Sequence, residues 1–134
     1  MKKIQKLIVW IRRELRMEDH LALWSAIEDA VEVIPLFIVD GEFHRLAPAR
    51  QKVVIDALKE LRASLRSAGG ELFVRAGEPV QVLHRLLDDS NVAGVYVTKE
   101  YQPGVRDRDR KLQASIEQSG KLWREFKGHV IFEG

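Results

Sequence analysis

Arginines dominate the segment that directly follows the first apolar run of the sequence. Arg12, Arg13 and Arg16 occur within five residues of one another, immediately after residues 7–11. Guanidinium groups bind phosphates and carboxylates through paired hydrogen bonds, so this segment has the chemistry of an anion site. Glu14 and other nearby acidic residues offer the same arginines partners within the chain. For Arg12 both interpretations stay open, whereas pairing within the chain is favoured for Arg16.

Several catalytic classes lack their residues in this sequence. It contains no cysteine, which excludes disulfides, thiolate metal sites and a cysteine nucleophile. The nucleophile elbow Gly-x-Ser-x-Gly, the P-loop and the dinucleotide motif Gly-x-Gly-x-x-Gly are absent. The four histidines show no metal-ligand spacing, and Asp107 and Asp109 would point in different directions on a helix. We therefore expect neither a catalytic residue nor a metal ligand.

The tryptophans are Trp10, Trp24 and Trp123. Trp10 and Trp123 fall in predicted strands, and Trp24 falls on an apolar helical stripe. Large aromatic side chains stabilise a core through the area they bury, so core packing is preferred over electron transfer for all three.

Length and hydropathy indicate one domain outside the membrane. The chain has 134 residues and a formal net charge of +2, which does not by itself argue for nucleic acid. The longest apolar runs, residues 7–11 and 33–39, are far shorter than the roughly 20 residues of a membrane span. The first run is also too short for a signal-peptide core. We expect a cytoplasmic protein.

Strand and helix patterns alternate along the chain. Apolar runs rich in β-branched and aromatic residues predict five strands, at residues 7–11, 33–39, 71–75, 94–98 and 122–126. Helical periodicity predicts four intervening helices, which begin near Asp19, Pro48, Pro79 and Arg106. This alternation predicts a Rossmann-like, doubly wound α/β fold with a five-stranded parallel sheet and helices on both faces. The strand order that we expect for such a sheet is 3-2-1-4-5.

The predicted strand order also predicts a ligand site. Doubly wound sheets bind ligands beyond the carboxyl ends of their strands, where the strand order reverses. Here the reversal lies between the first and fourth strands, so loops 12–19 and 99–105 would face the ligand. Loop 40–47, after the second strand, would lie close by.

Five segments together resemble the DNA photolyase and cryptochrome family. Residues 7–23, which read LIVWIRRELRMEDHLAL, are similar to the family's opening L-V-W-F-R-R-D-L-R-L-x-D-N-x-A-L. Four further stretches agree with family segments in order and spacing: LAPAR at 46–50, GEP at 77–79, YQP at 101–103 followed by RDRD at 106–109, and FKGHVI at 126–131. The resemblance covers nearly the whole chain.

This resemblance implies a domain rather than a complete enzyme. Residues 1–134 would form the family's N-terminal α/β domain, which carries an antenna chromophore that absorbs light and passes the excitation to FAD. In the family, FAD and the DNA-lesion pocket belong to a following helical domain, which is absent from this sequence. That domain would be the partner of this chain and its only route to DNA, so the chain alone is expected not to repair pyrimidine dimers.

The resemblance and the chemistry of the side chains together select six residues for the chromophore site: Arg12, Phe37, Ile38, Arg50, Glu100 and Gln102. An apolar slot would hold a flavin-like ring, cations would bind a phosphate tail, and the last two residues match the acidic positions of the fourth loop. Gly104 and Val105 replace the Asn-Glu pair of folate-binding members, which favours a deazaflavin or flavin over a folate. Core packing is the alternative role for Phe37 and Ile38, and pairing at a helix start is the alternative for Arg50.

Two other functions compete with the antenna interpretation. One is a nucleotide-binding module of the universal-stress type, although that group's glycine-rich phosphate loop is missing after the fourth strand. The other is a regulatory domain that acts through a partner, which an exposed apolar patch would support.

Overall fold

A five-stranded sheet forms the centre of the computed structural model, which describes residues 3–128. The strands are β1 (Ile4–Ile11), β2 (Ala30–Val39), β3 (Phe73–Ala76), β4 (Val92–Thr98) and β5 (Leu122–Phe126). The helices are α1 (Leu21–Asp29), α2 (Gly41–Arg45), α3 (Pro48–Ser67), α4 (Pro79–Leu87) and α5 (Pro103–Gln118). All neighbouring strands are parallel, in the order β3-β2-β1-β4-β5. The predicted fold class and strand order are confirmed.

The central strands are apolar on both faces because helices cover both. Leu7, Val9 and Ile11 of β1 join a core with residues of α1 and α3. Ile8 and Trp10 join a second core, with residues of α4 and α5. Continuous apolar runs are what a parallel strand buried on both sides requires.

The predicted core role is right for two tryptophans and wrong for the third. Trp10 and Trp123 are 3% and 4% exposed, and their rings meet edge to face with centroids 6.5 Å apart. Trp24 is 45% exposed, and its indole N–H donates to the Met17 carbonyl oxygen at 2.8 Å. The helical spacing of Leu23, Trp24, Ile27 and Val31 predicts one apolar stripe. In the structure only Leu23 of this set is buried, and Val31 lies in β2 and is 66% exposed.

The first helix begins with a histidine cap rather than at the predicted Asp19. The Nδ1 atom of His20 accepts a hydrogen bond from the backbone N–H of Leu23 at 3.2 Å. His20 is 1% exposed, and this burial lowers the pKa of its imidazole despite the opposing charge of Glu14. The cap thus depends on an imidazole that stays neutral.

This cap makes the stability of the domain depend on pH. In the unfolded chain the pKa of His20 returns to its ordinary 6.5. As the pH falls below that value, the unfolded chain takes up the proton before the folded one does, so the free energy of unfolding decreases. The decrease ends once the pH passes the lowered pKa of the folded state.

Urea denaturation at pH 7.5 and pH 5.5 checks this expectation. His20→Asn keeps a side-chain acceptor at the cap but removes the titrating group, so its stability should change less between the two pH values than that of the wild-type chain. An equal change in both proteins would show that His20 is not responsible.

Candidate functional site

A cavity of about 420 Å³ opens at the carboxyl edge of the sheet, where the strand order reverses. The ends of β1 and β2 form its floor, and residues of α2, α3, α5 and the loop after β4 complete it. Its apolar lining comes from Trp10, Ile11, Leu15, Phe37, Ile38, Phe43, Leu46, Val54 and Val105. The cavity lies where the predicted strand order places a ligand site.

The structure brings five of the six predicted site residues to this cavity: Arg12, Phe37, Ile38, Arg50 and Glu100. The sixth, Gln102, is a described residue but is not part of the cavity lining. It precedes α5 at the N-cap position, and its Oε1 atom accepts a hydrogen bond from Arg13 at 3.5 Å. Their binding roles stay predictions, because lining a cavity is not yet binding.

Phe37 and Ile38 serve the core and the cavity together. They are 7% and 4% exposed and belong to the two opposite cores. Since they lie near the end of β2 on different faces of the sheet, the cavity reaches over both faces at this edge. The core role and the slot role are therefore compatible.

Arg12 is held inside the protein by β4 and α5. Its side chain is 8% exposed, and one terminal nitrogen donates to Asp109 Oδ2 at 2.8 Å. The other terminal nitrogen donates to the carbonyl oxygen of Thr98, and the guanidinium lies 4.7 Å from the centroid of the Trp10 ring. Its Nε atom is buried and has no hydrogen-bond partner among the described residues. The terminal nitrogens are thus engaged by the protein, while the Nε–H is a buried donor that these contacts leave unpaired.

Asp109 is the partner of the cavity arginines, and the sequence analysis did not identify it in this role. It is completely buried, and its second carboxylate oxygen lies 3.5 Å from a terminal nitrogen of Arg108, which also lines the cavity. One carboxylate therefore holds two cavity arginines. Its position three residues before Leu112 and seven before Ile116 placed it on the buried stripe of the helix, which is the signal that could have identified it.

Glu100 brings a carboxyl group with a raised pKa to the cavity. The residue is 7% exposed, and burial raises the pKa of its carboxyl even though Arg12 and Arg13 are nearby. The nearest cation, Nε of Arg13, is 3.7 Å from Glu100 Oε1. A carboxyl group that takes up a proton readily can donate a hydrogen bond to a ligand as well as accept one.

The short helix α2 is a second feature that the sequence did not reveal, since residues 40–47 were expected to form a loop. Asp40 caps α2, its Oδ1 accepting from the backbone N–H of Phe43 at 3.1 Å. The helix places Phe43 and the following Leu46 on the cavity.

The fourth predicted helix, which is α5 in the structure, begins earlier than expected, at Pro103 instead of Arg106.

Within residues 3–128, no group of three or more acidic or histidine side chains could hold a metal ion. In the same part of the chain, no helix is both long and apolar enough to cross a membrane.

The sequence profile of DNA photolyase matches residues 7–134. The chain belongs to the DNA photolyase family. The family segment at 126–131 extends beyond the described residues, because 129–131 lie outside them. Membership favours the antenna interpretation over the universal-stress alternative.

Individual photolyases agree with this chain in sequence and in fold. The deoxyribodipyrimidine photo-lyase of Agrobacterium fabrum is 30% identical over 131 residues, a match that covers 98% of this chain and 27% of that protein. A class III photolyase from Agrobacterium tumefaciens has a TM-score of 0.86 at 29% identity, covering 99% of this chain and 28% of its own. An archaeal photolyase from Sulfolobus tokodaii, solved with two FAD molecules, has a TM-score of 0.82 at 31% identity, covering 92% and 29%. The chain thus spans less than a third of the length of these photolyases, which contain a further part.

Proposed function

We propose that this chain is the antenna domain of a photolyase and that its cavity binds a flavin or a deazaflavin. The observation that carries the proposal is the cavity of about 420 Å³ at the reversal of strand order, with apolar walls and a few polar groups. Cofactor sites generally combine a mostly apolar slot with a small number of placed polar groups. The description of the Sulfolobus tokodaii photolyase, which relates its two FAD molecules to a novel light-harvesting cofactor, supports the same class of ligand.

The residues of the cavity fit a tricyclic ring with a polar edge. Phe37, Ile38 and Phe43 supply apolar contacts. The Nε atoms of Arg12 and Arg108 are buried donors without a hydrogen-bond partner in the described part of the chain. Carbonyl oxygens at the ring edge would accept from such donors, and buried donors left unpaired cost free energy. A bound flavin would supply absorption of near-ultraviolet and blue light.

The remaining predicted site residues would act at the edge and at the tail of the ligand. Glu100 would hydrogen-bond the polar ring edge. Arg50, exposed in the first turn of α3, would bind a phosphate tail, where the positive end of the helix also favours an anion. Gln102 would act indirectly through Arg13.

The parent protein is proposed to split pyrimidine dimers with light through FAD in a helical domain, which would also contact the DNA. This chain alone is expected to give no light-dependent dimer repair. Cytoplasmic location belongs to the same proposal and is supported by a sequence without cysteine.

Fluorescence titration with FMN and with riboflavin tests the site and the role of Arg50. We expect both ligands to bind saturably, with FMN tighter because only FMN carries a phosphate. Arg50→Gln should weaken FMN binding by about tenfold, the loss of about 1.4 kcal/mol, and should leave riboflavin binding unchanged.

Arg110→Gln is the matched control, because Arg110 is exposed on α5 and lies outside the cavity lining. Equal weakening of both ligands by Arg50→Gln, or an equal effect of Arg110→Gln on FMN, would contradict the assigned phosphate contact. Failure of both ligands to bind the wild-type chain would contradict the proposed function itself.

A further inference from the structure

One wall of the cavity depends on a helix that cannot support itself. The helix α2 has five residues, all of them described, and none of them is buried. A helix this short has almost no intrinsic stability, because one or two hydrogen bonds do not offset the cost of nucleation. Phe43 and Leu46, which it places on the cavity, therefore depend for their positions on residues outside α2.

Gln51 on α3 supplies those contacts at the carboxyl end of α2. Its side-chain nitrogen donates toward three backbone carbonyl oxygens, those of Phe43 at 3.3 Å, His44 at 3.3 Å and Leu46 at 3.1 Å. The Phe43 carbonyl also accepts from the backbone N–H of Leu46 at 3.1 Å. The last carbonyls of a helix otherwise lack backbone partners within it, so a side-chain donor such as that of Gln51 can satisfy them. An amide nitrogen carries two hydrogens, which these three oxygens share.

The position of Gln51 is itself well fixed. Its backbone N–H donates to Ala47 O at 3.0 Å, in the first turn of the long helix α3. Gln51 does not belong to the cavity lining, whereas its neighbour Arg50 does. Gln51 would therefore affect a ligand through the residues it holds in place and not through a contact of its own.

We propose that Gln51 is the positioning residue of the α2 wall: its amide holds the carboxyl end of α2 and so sets the place of Phe43 and Leu46 against the ligand. The part that concerns ligand binding rests on the proposed function. The part that concerns α2 does not, because it refers only to contacts within the chain.

Amide hydrogen exchange of the full 134-residue chain tests the proposal without a ligand. Gln51→Glu has nearly the same shape but replaces the donor with a carboxylate that faces three carbonyl oxygens. It should speed exchange of the His44 and Leu46 amides by about tenfold and leave β1 and β4 unchanged. Gln51→Lys restores a donor and should return the exchange toward wild-type rates. Gln118→Glu, exposed on α5, is the matched control.

A riboflavin titration of the same variants gives the second readout, because riboflavin has no phosphate on which the changed charge beside Arg50 could act. Gln51→Glu should weaken riboflavin binding about tenfold, and Gln51→Lys should restore most of the affinity. Unchanged exchange in α2 for Gln51→Glu, or equal effects of the Glu and Lys variants, would overturn the positioning role. If Gln51→Glu fails to fold, Gln51→Met removes the donor without adding charge and decides the same question. If the wild-type chain does not bind riboflavin, the proposed function fails while the exchange result still decides the role of Gln51.

Discussion

Replacing Asp109 with asparagine should lower the free energy of unfolding by about 3 kcal/mol, because it leaves a buried guanidinium without its counter-ion. Asp109 is completely buried, and Arg12, which donates to it at 2.8 Å, is 8% exposed in its side chain. A carboxamide oxygen still accepts one hydrogen bond, so the loss should fall at the low end of the range for a broken buried pair. The variant should also loosen α5 from the end of β1, since this pair joins them.

Urea denaturation measures the effect, and Asp107→Asn is the matched control on the same helix. Asp107 is exposed, so its variant should stay within about 0.5 kcal/mol of the wild-type chain. Replacing Arg12 and Asp109 together by leucine should recover part of the loss, because the buried guanidinium of Arg12 is then removed together with its partner. Arg108 also loses Asp109, but its side chain is 31% exposed and stays in contact with water. Equal stability of the Asp107 and Asp109 variants would contradict the assigned pair.

Filling the cavity should produce the largest loss of ligand binding. Val54 of α3 is partly buried and lines the cavity. Val54→Trp places an indole in the slot proposed for the flavin ring, so riboflavin affinity should fall by at least about thirtyfold, or about 2 kcal/mol. Fluorescence titration with riboflavin measures the change, and riboflavin avoids any contribution from a phosphate contact.

Val53→Trp provides a closely matched control for this experiment. Val53 is the preceding residue, is 64% exposed and lies outside the cavity lining. The same bulky substitution there should leave riboflavin binding within about twofold of the wild-type value. Riboflavin binding that survives Val54→Trp, in a variant with an unchanged circular dichroism spectrum, would place the ligand elsewhere.

The sheet could be predicted from the sequence because its strands are buried on both faces. Apolar runs and alternating periodicity locate all five strands, and these signals are local. The predicted first residues of two strands were less accurate. The structure has β1 begin at Ile4 and β2 at Ala30, whereas the sequence predicts starts at residues 7 and 33. Ile4 pairs with Ala30, and Lys6 pairs with Glu32. These first residues join the strands through backbone pairing. Because their side chains include charged ones, the sequence shows no continuous apolar run there.

The site was only partly predictable, because the choice of partners is a tertiary property. The sequence allowed Arg12 either an anion or an internal carboxylate, and only the fold brings Asp109, 97 residues away, to its guanidinium. Helix α2 has no apolar stripe to reveal it, since its formation depends on Asp40 at one end and Gln51 at the other. The location of the cavity, in contrast, follows from strand order alone.

The indole N–H signals of the three tryptophans provide the most direct test that the cavity binds a flavin. Trp10 lines the cavity, whereas Trp24 is exposed on α1 and lies outside it. A titration with riboflavin, followed by ¹H–¹⁵N correlation spectra and assigned with single Trp→Phe variants, should shift the Trp10 signal saturably and leave the Trp24 signal in place. A shift of Trp24 without a shift of Trp10, or no shift of either signal in a folded chain saturated with riboflavin, would contradict binding in this cavity.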